Sequence, residues 1–374
     1  MKVLLVGNYE FDGSMSMKVW AESLLREYLQ RGIAAEVIAP KPVFGLLRRS
    51  AHGLGKWLGY VDRFLIFPHA LRKAASQADV VHLCDHGSSV YVRALRDSPV
   101  VVTCHDMLAI RGAMGEVPDC AASRTGRFYQ QWIKRGLECA DRVACVSQFT
   151  FRDCSRLLTS SKNLTVVLNG LNYPFRQLPA SEIDKRLLDL PETNCRFVFH
   201  IGSNHTRKNR EGVLRAFAKV PNNLCLRLVL AGAALDERLT NIARQLGILE
   251  RIVQVVRPDV ETVEALYNRA IVLLFPSRYE GFGWPPIEAQ ACGCPVVGSD
   301  IPPLVEVVGQ SGILRAPGDE DGLAEAVAQI ARDKDYRENL CKLGLENVSS
   351  RFALSRVIGE YLSLYGELIC EKQR

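Results

Sequence analysis

Two glutamates, Glu280 and Glu288, have seven residues between them within AIVLLFPSRYEGFGWPPIEAQACG, residues 270–293. An apolar run precedes them, and a Gly-Phe-Gly turn and two prolines lie between them. This order predicts a buried parallel strand, a sharp turn and a helix start. A helix N-terminus favours an anion, and carboxylates accept hydrogen bonds from hydroxyls. The segment indicates a phosphorylated ligand with hydroxyls; alternatively, Glu288 complements the helix dipole and Glu280 is a solvated loop charge.

A second group of polar residues follows the apolar run at 197–201. Gly202 permits a turn there, and Arg207 and Lys208 come just before an amphipathic helix predicted over 212–220. Two cations beside a helix start can receive a diphosphate, Arg as a fork and Lys as a point charge. Adjacent Arg-Lys pairs are also common on protein surfaces, so the pair alone leaves a solvated role open.

A third group is His105-Asp106, directly after the apolar run VVTC. A histidine at the carboxyl end of a parallel strand is placed where open α/β sheets bind ligands. A structural hydrogen bond within the His-Asp pair is the alternative.

Length and composition limit the classes of protein. With 374 residues, 48% of them hydrophobic, the chain is long enough for two domains. Its 12 cysteines form no C-x-x-C pair, so we expect most of them to be small buried residues in a reducing compartment. The first apolar run is too short for a signal peptide, and no stretch is long enough to span a membrane. We therefore expect a cytoplasmic protein.

Positive charge concentrates in residues 41–75, where seven basic residues and one acid alternate with aromatic and leucine side chains. This composition suits a surface lying on anionic lipid at the inner face of the plasma membrane. The alternative is a solvated basic face over an ordinary core helix. No nucleic-acid-binding motif accompanies the stretch, so we expect no nucleic-acid partner.

Strand-like and helical patterns alternate along the chain, which predicts an α/β protein with parallel sheets. Turn-forming residues at 169–174 interrupt the alternation, and an apolar strand pattern restarts at Phe197. We place an N-terminal Rossmann-like domain at 1–172 and a C-terminal one at 173–352. A last helix is expected within 353–374.

The segment from Ser277 to Gly283, with Pro286, Glu288-Ala289, Gly293 and Pro295-Val296-Val297, resembles the E-x7-E signature of family 4 (group 1) glycosyltransferases. The resemblance covers nearly the whole chain. It implies the GT-B fold, in which two Rossmann-like domains face each other across a cleft and the last helix crosses back to the first domain. Trp284 and Gln290 depart from the family pattern, which more often has leucine and methionine there.

The resemblance also implies roles for the C-terminal residues. Glu280 would contact the transferred sugar, and Glu288 would hold the nucleotide ribose. The backbone N–H groups of Gly281, Phe282 and Gly283 would contact sugar hydroxyls. The donor diphosphate would lie against Gly202, Arg207 and Lys208.

In the N-terminal domain, the resemblance places His105 near the donor sugar, with Asp106 as its orienting partner. Gly13, in the loop after the first strand, would approach the phosphates. His82, Asp85 and His86 end the preceding strand, and we expect them on the acceptor side.

These roles imply a retaining glycosyltransferase that moves a hexose, with mannose favoured, from a sugar nucleotide to a hydroxyl acceptor in glycan, polysaccharide or glycolipid synthesis. No cofactor is expected and no metal is required; the partners are the donor, a glycan or lipid-linked acceptor and anionic membrane. The alternatives are a catalytically inactive membrane-associated binding protein and a sugar-nucleotide epimerase. A nicotinamide-dependent oxidoreductase is disfavoured, because no G-x-G-x-x-G follows a predicted strand.

Overall fold

The computed structural model describes residues 1–12, 15–47 and 53–374. These residues form two compact units. Unit 1 comprises Met1–Tyr173 together with Leu354–Arg374, and unit 2 comprises Pro174–Ala353. Each unit contains one parallel sheet of six strands with helices between the strands.

Unit 1 is built on a sheet with the strand order β2-β1-β3-β4-β5-β6, in which every described pair is parallel. Its central strands are almost completely buried, as expected for a sheet covered on both faces. The strands are β1 (Lys2–Val6), β2 (Ala34–Ile38), β3 (Val80–Leu83), β4 (Val100–Cys104), β5 (Arg142–Cys145) and β6 (Leu164–Val166).

Helices connect these strands, and two of them begin with a serine cap. Ser123 accepts a hydrogen bond from the N–H of Gly126, and Ser147 accepts one from Thr150. The helices up to the unit boundary are α1 (Met15–Gln30), α2 (Gly53–Val61), α3 (Phe67–Ala75), α4 (Leu108–Ala113), α5 (Arg124–Cys139) and α6 (Gln148–Leu157). A π-helical turn at Asp62–Ile66 joins α2 to α3, and a 3-10 helix spans His86–Ala94.

Unit 2 repeats the plan with the strand order β12-β11-β10-β7-β8-β9, again parallel throughout its described pairs. The strands are β7 (Phe197–Gly202), β8 (Arg227–Gly232), β9 (Ile252–Val256), β10 (Val272–Phe275), β11 (Val296–Ser299) and β12 (Ile313–Arg315). The helices are α7 (Ala180–Arg186), α8 (Arg210–Lys219), α9 (Glu237–Gln245), α10 (Val260–Arg269), α11 (Trp284–Ala291), α12 (Pro302–Val308), α13 (Glu320–Arg332) and α14 (Lys334–Arg351).

The segment that opens unit 2 is fixed to α10 through Glu264, which is 1% exposed. Its carboxylate accepts hydrogen bonds from the backbone N–H of Arg176, at 2.9 Å, and from Nη1 of Arg186, at 2.6 Å. Asn268 on the next turn accepts from the N–H of Leu178. A buried carboxylate needs hydrogen-bond donors to compensate its charge. Arg176 and Arg186 supply them, so the segment that contains these residues is held against α10.

The last helix, α15 (Leu354–Lys372), packs in unit 1. Its two buried tyrosines join a chain of hydrogen bonds that runs from Tyr28 to Tyr365, His82, Thr103 and Tyr361, with distances of 2.9, 2.6, 2.7 and 2.8 Å. Burial lowers the pKa of His82 to about 3, so the imidazole is neutral. The chain binds α1, β3 and β4 to α15.

This position of His82 corrects one expectation from the sequence. We expected His82 on the acceptor side, but its side chain is completely buried and both ring nitrogens are used within the core of unit 1. A second correction concerns the cysteines. Six of the 12 are buried rather than most of them, and all 12 are free thiols.

Among the helices that the structure describes, none combines the length and apolarity needed to cross a bilayer. Apolar side chains are nonetheless exposed around α2. Seven of the 14 exposed large apolar side chains in the described part of the chain fall between residues 43 and 66. They are Val43, Phe44, Leu46, Leu47, Trp57, Leu65 and Ile66, and we refer to them as the apolar rim.

Candidate functional site

The turn between β10 and α11 brings a helix N-terminus to the carboxyl edge of the second sheet. Gly283 caps α11 with φ +112°, a conformation that side chains with a Cβ rarely adopt. A Cβ at this position would also lie 2.8 Å from Cδ2 of Leu304. Pro285 and Pro286 occupy the first turn of the helix, as the sequence predicted. The turn therefore requires glycine for both conformation and space.

Glu280 lies in this turn and is only 7% exposed, which excludes the solvated loop charge considered above. Its Oε1 accepts a hydrogen bond from Nζ of Lys208 at 2.6 Å, and its Oε2 lies 3.4 Å from Nη1 of Arg207. The backbone N–H of Arg278 donates to the carbonyl of Arg207 at 2.8 Å. Two segments far apart in sequence are thus joined into one charged cluster.

The loop after β7 holds Lys208 and Arg207 in this position. It ends at Asn209, which has φ +52° and caps α8 by accepting a hydrogen bond from the N–H of Gly212. The side-chain amide of Asn209 also donates to the carbonyl of Pro276, at the end of β10. A Cβ at Gly202 would lie 3.3 Å from Nε2 of His200 and 3.6 Å from the Lys208 side chain, so a side chain there would crowd His200 and contact Lys208.

Arg210, the first residue of α8, also holds this loop in place and is 2% exposed. Its guanidinium donates to the carbonyls of Gly202, Ala231 and Ala233 at 2.6 to 2.8 Å, and to the side chain of Asn204. Burial lowers its pKa to about 10, so it remains a cation at neutral pH. The guanidinium links the carboxyl ends of β7 and β8.

Glu288 lies on the first turns of α11 and is 8% exposed. Its Oε2 accepts a hydrogen bond from the hydroxyl of Tyr267 at 2.9 Å. Burial raises its pKa to about 7, against the opposing effects of Tyr267 and the nearby Lys208. Glu288 is therefore a carboxylate that titrates near neutral pH in the same region as the charged cluster.

In unit 1, His105 follows β4 and is 8% exposed. Its Nε2 lies 2.9 Å from the carbonyl of Cys84, and burial lowers its pKa, which keeps the imidazole neutral. Asp106, the expected orienting partner, uses Oδ1 to accept from the backbone N–H of Leu108 at the start of α4. The Cys84 carbonyl is thus one partner of the His105 ring. Gly13 lies outside the described residues.

Asp85 and His86 line a polar cavity of about 560 Å³ in unit 1. Asp85 accepts from Nδ2 of Asn8 and from the N–H of Gly87, each at 2.7 Å. The guanidinium of Arg63 donates to the hydroxyl of Tyr129 at 2.9 Å and lies over its ring. Carboxylates, an imidazole and tyrosines around one cavity provide hydrogen-bonding groups and flat apolar faces for a polyhydroxylated ligand.

The sequence analysis did not select three residues that shape these sites: Asn209, Arg210 and Tyr267. Asn209 carried a signal, since an asparagine before a helical pattern is a preferred cap. Arg210 and Tyr267 carried none, because three of the four acceptors of Arg210 are backbone carbonyls and Glu288, the partner of Tyr267, lies 21 residues away. In the described residues, no group of three or more His, Cys, Asp and Glu side chains is arranged to hold a metal ion.

Two family models match the chain, one to each half. The model described as glycosyl transferases group 1 matches residues 186–345, and the model described as glycosyltransferase family 4 matches residues 17–173. The chain belongs to the group 1, family 4 glycosyltransferases. The two matches together span most of this glycosyltransferase.

Similar proteins include several sugar-transferring enzymes. The glycosyltransferase is 28% identical over 285 residues to the O-antigen chain mannosyltransferase B of Escherichia coli, a match that covers 74% of this chain and 72% of that protein. It is 25% identical over 243 residues to N-acetyl-alpha-D-glucosaminyl L-malate synthase of Bacillus anthracis, covering 63% of this chain and 62% of the relative.

Solved structures confirm the fold as GT-B. HepE of Anabaena, in complex with UDP and glucose, superposes with a TM-score of 0.75 at 19% identity, covering 98% of this chain and 100% of that one. Sucrose-phosphate synthase of Thermosynechococcus elongatus gives 0.77 at 20% identity, covering 99% and 100%. At these identities the likeness concerns the fold alone.

Proposed function

We propose that this glycosyltransferase moves a hexose from a nucleotide-diphosphate sugar to a hydroxyl acceptor with retention of configuration. The observation that supports it most directly is the charged cluster, where Lys208 and Arg207 share the buried carboxylate of Glu280. Glu288, a second buried carboxylate, lies on the helix that begins just after this cluster. This arrangement offers two cations to a diphosphate and two carboxylates to hydroxyls.

The chemistry follows from where charge develops. Breaking the bond between the sugar and the diphosphate puts negative charge on the leaving phosphate. Lys208, Arg207 and the N-terminal turn of α11 stabilise that charge, and they do so more strongly in the transition state than in the ground state. These groups replace a divalent ion, so we expect transfer to persist in EDTA.

Glu280 has a second role in this proposal. In the absence of donor, its carboxylate forms ion pairs with Lys208 and Arg207. A diphosphate that binds Lys208 and Arg207 must displace it, which frees the carboxylate to accept hydrogen bonds from the sugar. Gly281, Phe282 and Gly283 offer backbone N–H groups to the same sugar, and Glu288 holds the ribose. From the family resemblance, we also propose that His105 contacts the donor sugar.

We further propose mannose as the transferred sugar and a polysaccharide as the product. The support is the similarity to the O-antigen chain mannosyltransferase B and, at 27% identity over 272 residues, to the serotype-specific mannosyltransferase WbdA of Escherichia coli. Thermal unfolding against GDP-mannose and the UDP-, ADP- and dTDP-sugars tests the donor. A ligand at a hundred times its Kd adds about 2.7 kcal/mol of stability, which shifts the midpoint clearly.

Glu280→Gln tests the role of the charged cluster. It should lower transfer about 100-fold, because the carboxylate that contacts the sugar is lost. GDP alone should bind at least as tightly as before, since the competing carboxylate is gone. Glu325→Gln, at an exposed position in the same unit, is the matched control.

Unchanged transfer by Glu280→Gln would refute the proposed role, and the absence of transfer in the unsubstituted chain despite donor binding would favour an inactive binding protein. Release of an isomerised sugar nucleotide without acceptor would favour the epimerase. NMR of the product gives the anomeric configuration, and an inverted product would refute retention.

We also propose that the apolar rim rests on anionic membrane. Leu47 and Leu65 are 76% and 65% exposed, and Lys41, Arg72 and Lys73 belong to the same basic stretch. Leu47→Asp with Leu65→Asp should abolish sedimentation with anionic vesicles at physiological salt. Leu188→Asp, also 76% exposed but in unit 2, should not. Equal sedimentation of all three proteins would refute the membrane role of the rim.

A further inference from the structure

Unit 2 has three buried side-chain atoms that lack a hydrogen-bond partner among the described residues. They are Nε2 of His200, Nε of Arg210 and Oγ of Ser277. His200 lies near the end of β7, Arg210 opens α8 and Ser277 follows β10, so all three belong to the segments that form the charged cluster. Because buried polar atoms in folded proteins are nearly always paired, their concentration here indicates that hydrogen bonds in this region are completed only when a ligand binds.

His200 presents a hydrogen-bond acceptor to this region. Its side chain is completely buried, and its Nδ1 lies 2.9 Å from the carbonyl oxygen of Leu274 on the neighbouring strand β10. A carbonyl only accepts, so Nδ1 carries the proton and Nε2 presents a lone pair. Burial lowers the pKa of His200 to about 3, so the ring stays neutral. Nε2 therefore needs a donor, and it cannot itself donate to an anion.

The stem of Lys208 passes beside this lone pair. A Cβ at Gly202 would lie 3.3 Å from Nε2 of His200 and 3.6 Å from Cβ and Cγ of Lys208, so the ring and the lysine border the same small space. The rest of the lysine side chain, beyond Cγ, is long enough for the ammonium to reach across it. Nζ now lies over the ring of Phe275, 5.0 Å from its centroid, and the His200 ring stacks on that ring with centroids 6.4 Å apart. The ammonium and the imidazole thus share two neighbours, Gly202 and Phe275.

Lys208 has donors to spare and, in the proposed function, loses its present partner. Its Nζ donates to Oε1 of Glu280 at 2.6 Å, which uses one of the three N–H groups of the ammonium. When Glu280 turns to the sugar hydroxyls, the lysine needs another acceptor to keep it directed at the diphosphate. A neutral imidazole can orient the ammonium without cancelling its charge, whereas a carboxylate would weaken its attraction for the phosphate.

We propose that His200 is a positioning residue for Lys208. When a diphosphate replaces Glu280, Nε2 of His200 accepts a hydrogen bond from the ammonium and holds it against the phosphate. The inference rests on the proposed transferase function and adds the group that orients its main cation. Arg210 also carries an unpaired N–H, but four acceptors already fix its guanidinium, three of them backbone carbonyls.

The first test observes His200 directly in the unsubstituted protein. The full chain, labelled with ¹⁵N-histidine, is titrated with UDP, GDP and ADP and followed by NMR, and His200→Asn assigns the resonances. A nucleotide that binds should move the Nε2 resonance of His200 to lower chemical shift, as expected for an unprotonated nitrogen that gains a hydrogen-bond donor. The Nδ1 resonance should stay in place. In Lys208→Met, saturated with the same nucleotide, the Nε2 response should disappear.

Two substitutions at His200 separate positioning from packing. Asparagine keeps a donor for the Leu274 carbonyl but has no atom in place of Nε2, whereas glutamine places its amide there. His200→Asn should therefore weaken nucleotide binding about tenfold, as expected for one hydrogen bond to a charged group, and His200→Gln by about threefold or less. In the Lys208→Met background, His200→Asn should have no further effect. His69→Asn is the matched control, because Nδ1 of this exposed histidine in unit 1 also contacts a backbone carbonyl.

An Nε2 resonance that stays in place while a nucleotide binds would overturn the inference. A response that persists in Lys208→Met would also overturn it, because Arg210 or the ligand would then be the donor. So would a shift of Nε2 into the range of a protonated nitrogen. Equal losses of affinity in His200→Asn and His200→Gln would assign the effect to packing. Failure of the transferase proposal gives a different result, since none of the three nucleotides would then bind.

Discussion

The His82 chain in unit 1 and the charged cluster in unit 2 are both buried polar groups, but they satisfy their hydrogen bonds differently. Around His82, neutral hydroxyls and an imidazole bond to one another and hold α15 in place. Around Glu280, two cations compensate a carboxylate, and the Arg207 side chain is 38% exposed. An incoming anion can replace the carboxylate there, whereas nothing from solvent can replace a member of the His82 chain.

Burial alone therefore does not identify a functional polar residue. His82 and Glu280 are both buried, yet one has its hydrogen-bonding capacity used by core neighbours and the other has partners that a ligand can take over. A functional buried polar residue differs from a structural one in having charged partners that a ligand can reach from solvent. Substitutions in the two regions should accordingly affect different measurements.

Lys208→Met should have the largest effect. It removes the cation nearest Glu280, so transfer should fall about 100- to 1000-fold and nucleotide affinity should fall with it. Initial rates and calorimetric titration with GDP measure the two effects. Lys219→Met, on an exposed lysine of the same unit, should leave both unchanged, and a Lys208 variant with normal nucleotide affinity would contradict the assignment.

Tyr365→Phe should act on stability instead. It leaves the hydroxyl of Tyr28 and Nδ1 of His82 without their partner in the core, which costs about 1 to 3 kcal/mol. Urea unfolding measures the loss, with Tyr336→Phe in unit 2 as the control. Nucleotide affinity should not change. A variant with weaker nucleotide binding and unchanged stability would show that the His82 chain is not confined to a structural role.

Glu288 gives a prediction for pH. Burial raises its pKa from 4.5 to about 7, so the folded state holds its proton more tightly than the unfolded chain. Its contribution to stability is complete below pH 4.5 and is lost as the pH rises through 7. In the proposed function the Glu288 carboxylate holds the ribose, so we expect nucleotide affinity to rise roughly tenfold between pH 6 and 8. In the Glu288→Gln variant, nucleotide affinity should be weak and independent of pH. If its affinity still rises between pH 6 and 8, a group other than Glu288 is responsible for the pH dependence.

Gln290→Met should have the smallest effect. Gln290 is 1% exposed, donates to Oγ of Ser311 at 2.8 Å and accepts from Nδ2 of Asn347 at 2.8 Å. Methionine, the more usual residue here, would lose both bonds but keep the volume, so we expect about 1 kcal/mol of lost stability and unchanged transfer. A tenfold loss of transfer would show that this link in α11 also positions Glu288.

The sequence predicted the strands well, because buried parallel strands are short apolar runs bounded by turn residues. The apolar runs before Glu280, at 197–201 and before His105 form β10, β7 and β4, and Pro285 and Pro286 lie in the first turn of α11. The helix at Ala180–Arg186 was not predicted, since the polar composition of its segment hides the dependence on Glu264 of α10.

Side-chain partners were predicted less well than side-chain positions. Glu280 and Lys208 were selected from separate segments, but nothing in either segment specifies their contact across 72 residues. His82 was misplaced because a histidine at the end of a strand has the same local sequence whether it faces solvent or a distant tyrosine. Tyr365 is 283 residues away from it, and local patterns carry no information about such pairs.

The division of the chain has a consequence for synthesis on the ribosome. Unit 1 is made from both ends of the described chain, and unit 2 is inserted between them. All of unit 2 emerges before α15, the helix that supplies Tyr361 and Tyr365. Until then His82 and Thr103 lack their tyrosine partners, so the nascent first unit has an incomplete core while the second can already fold. The order of translation therefore allows unit 2 to mature before unit 1.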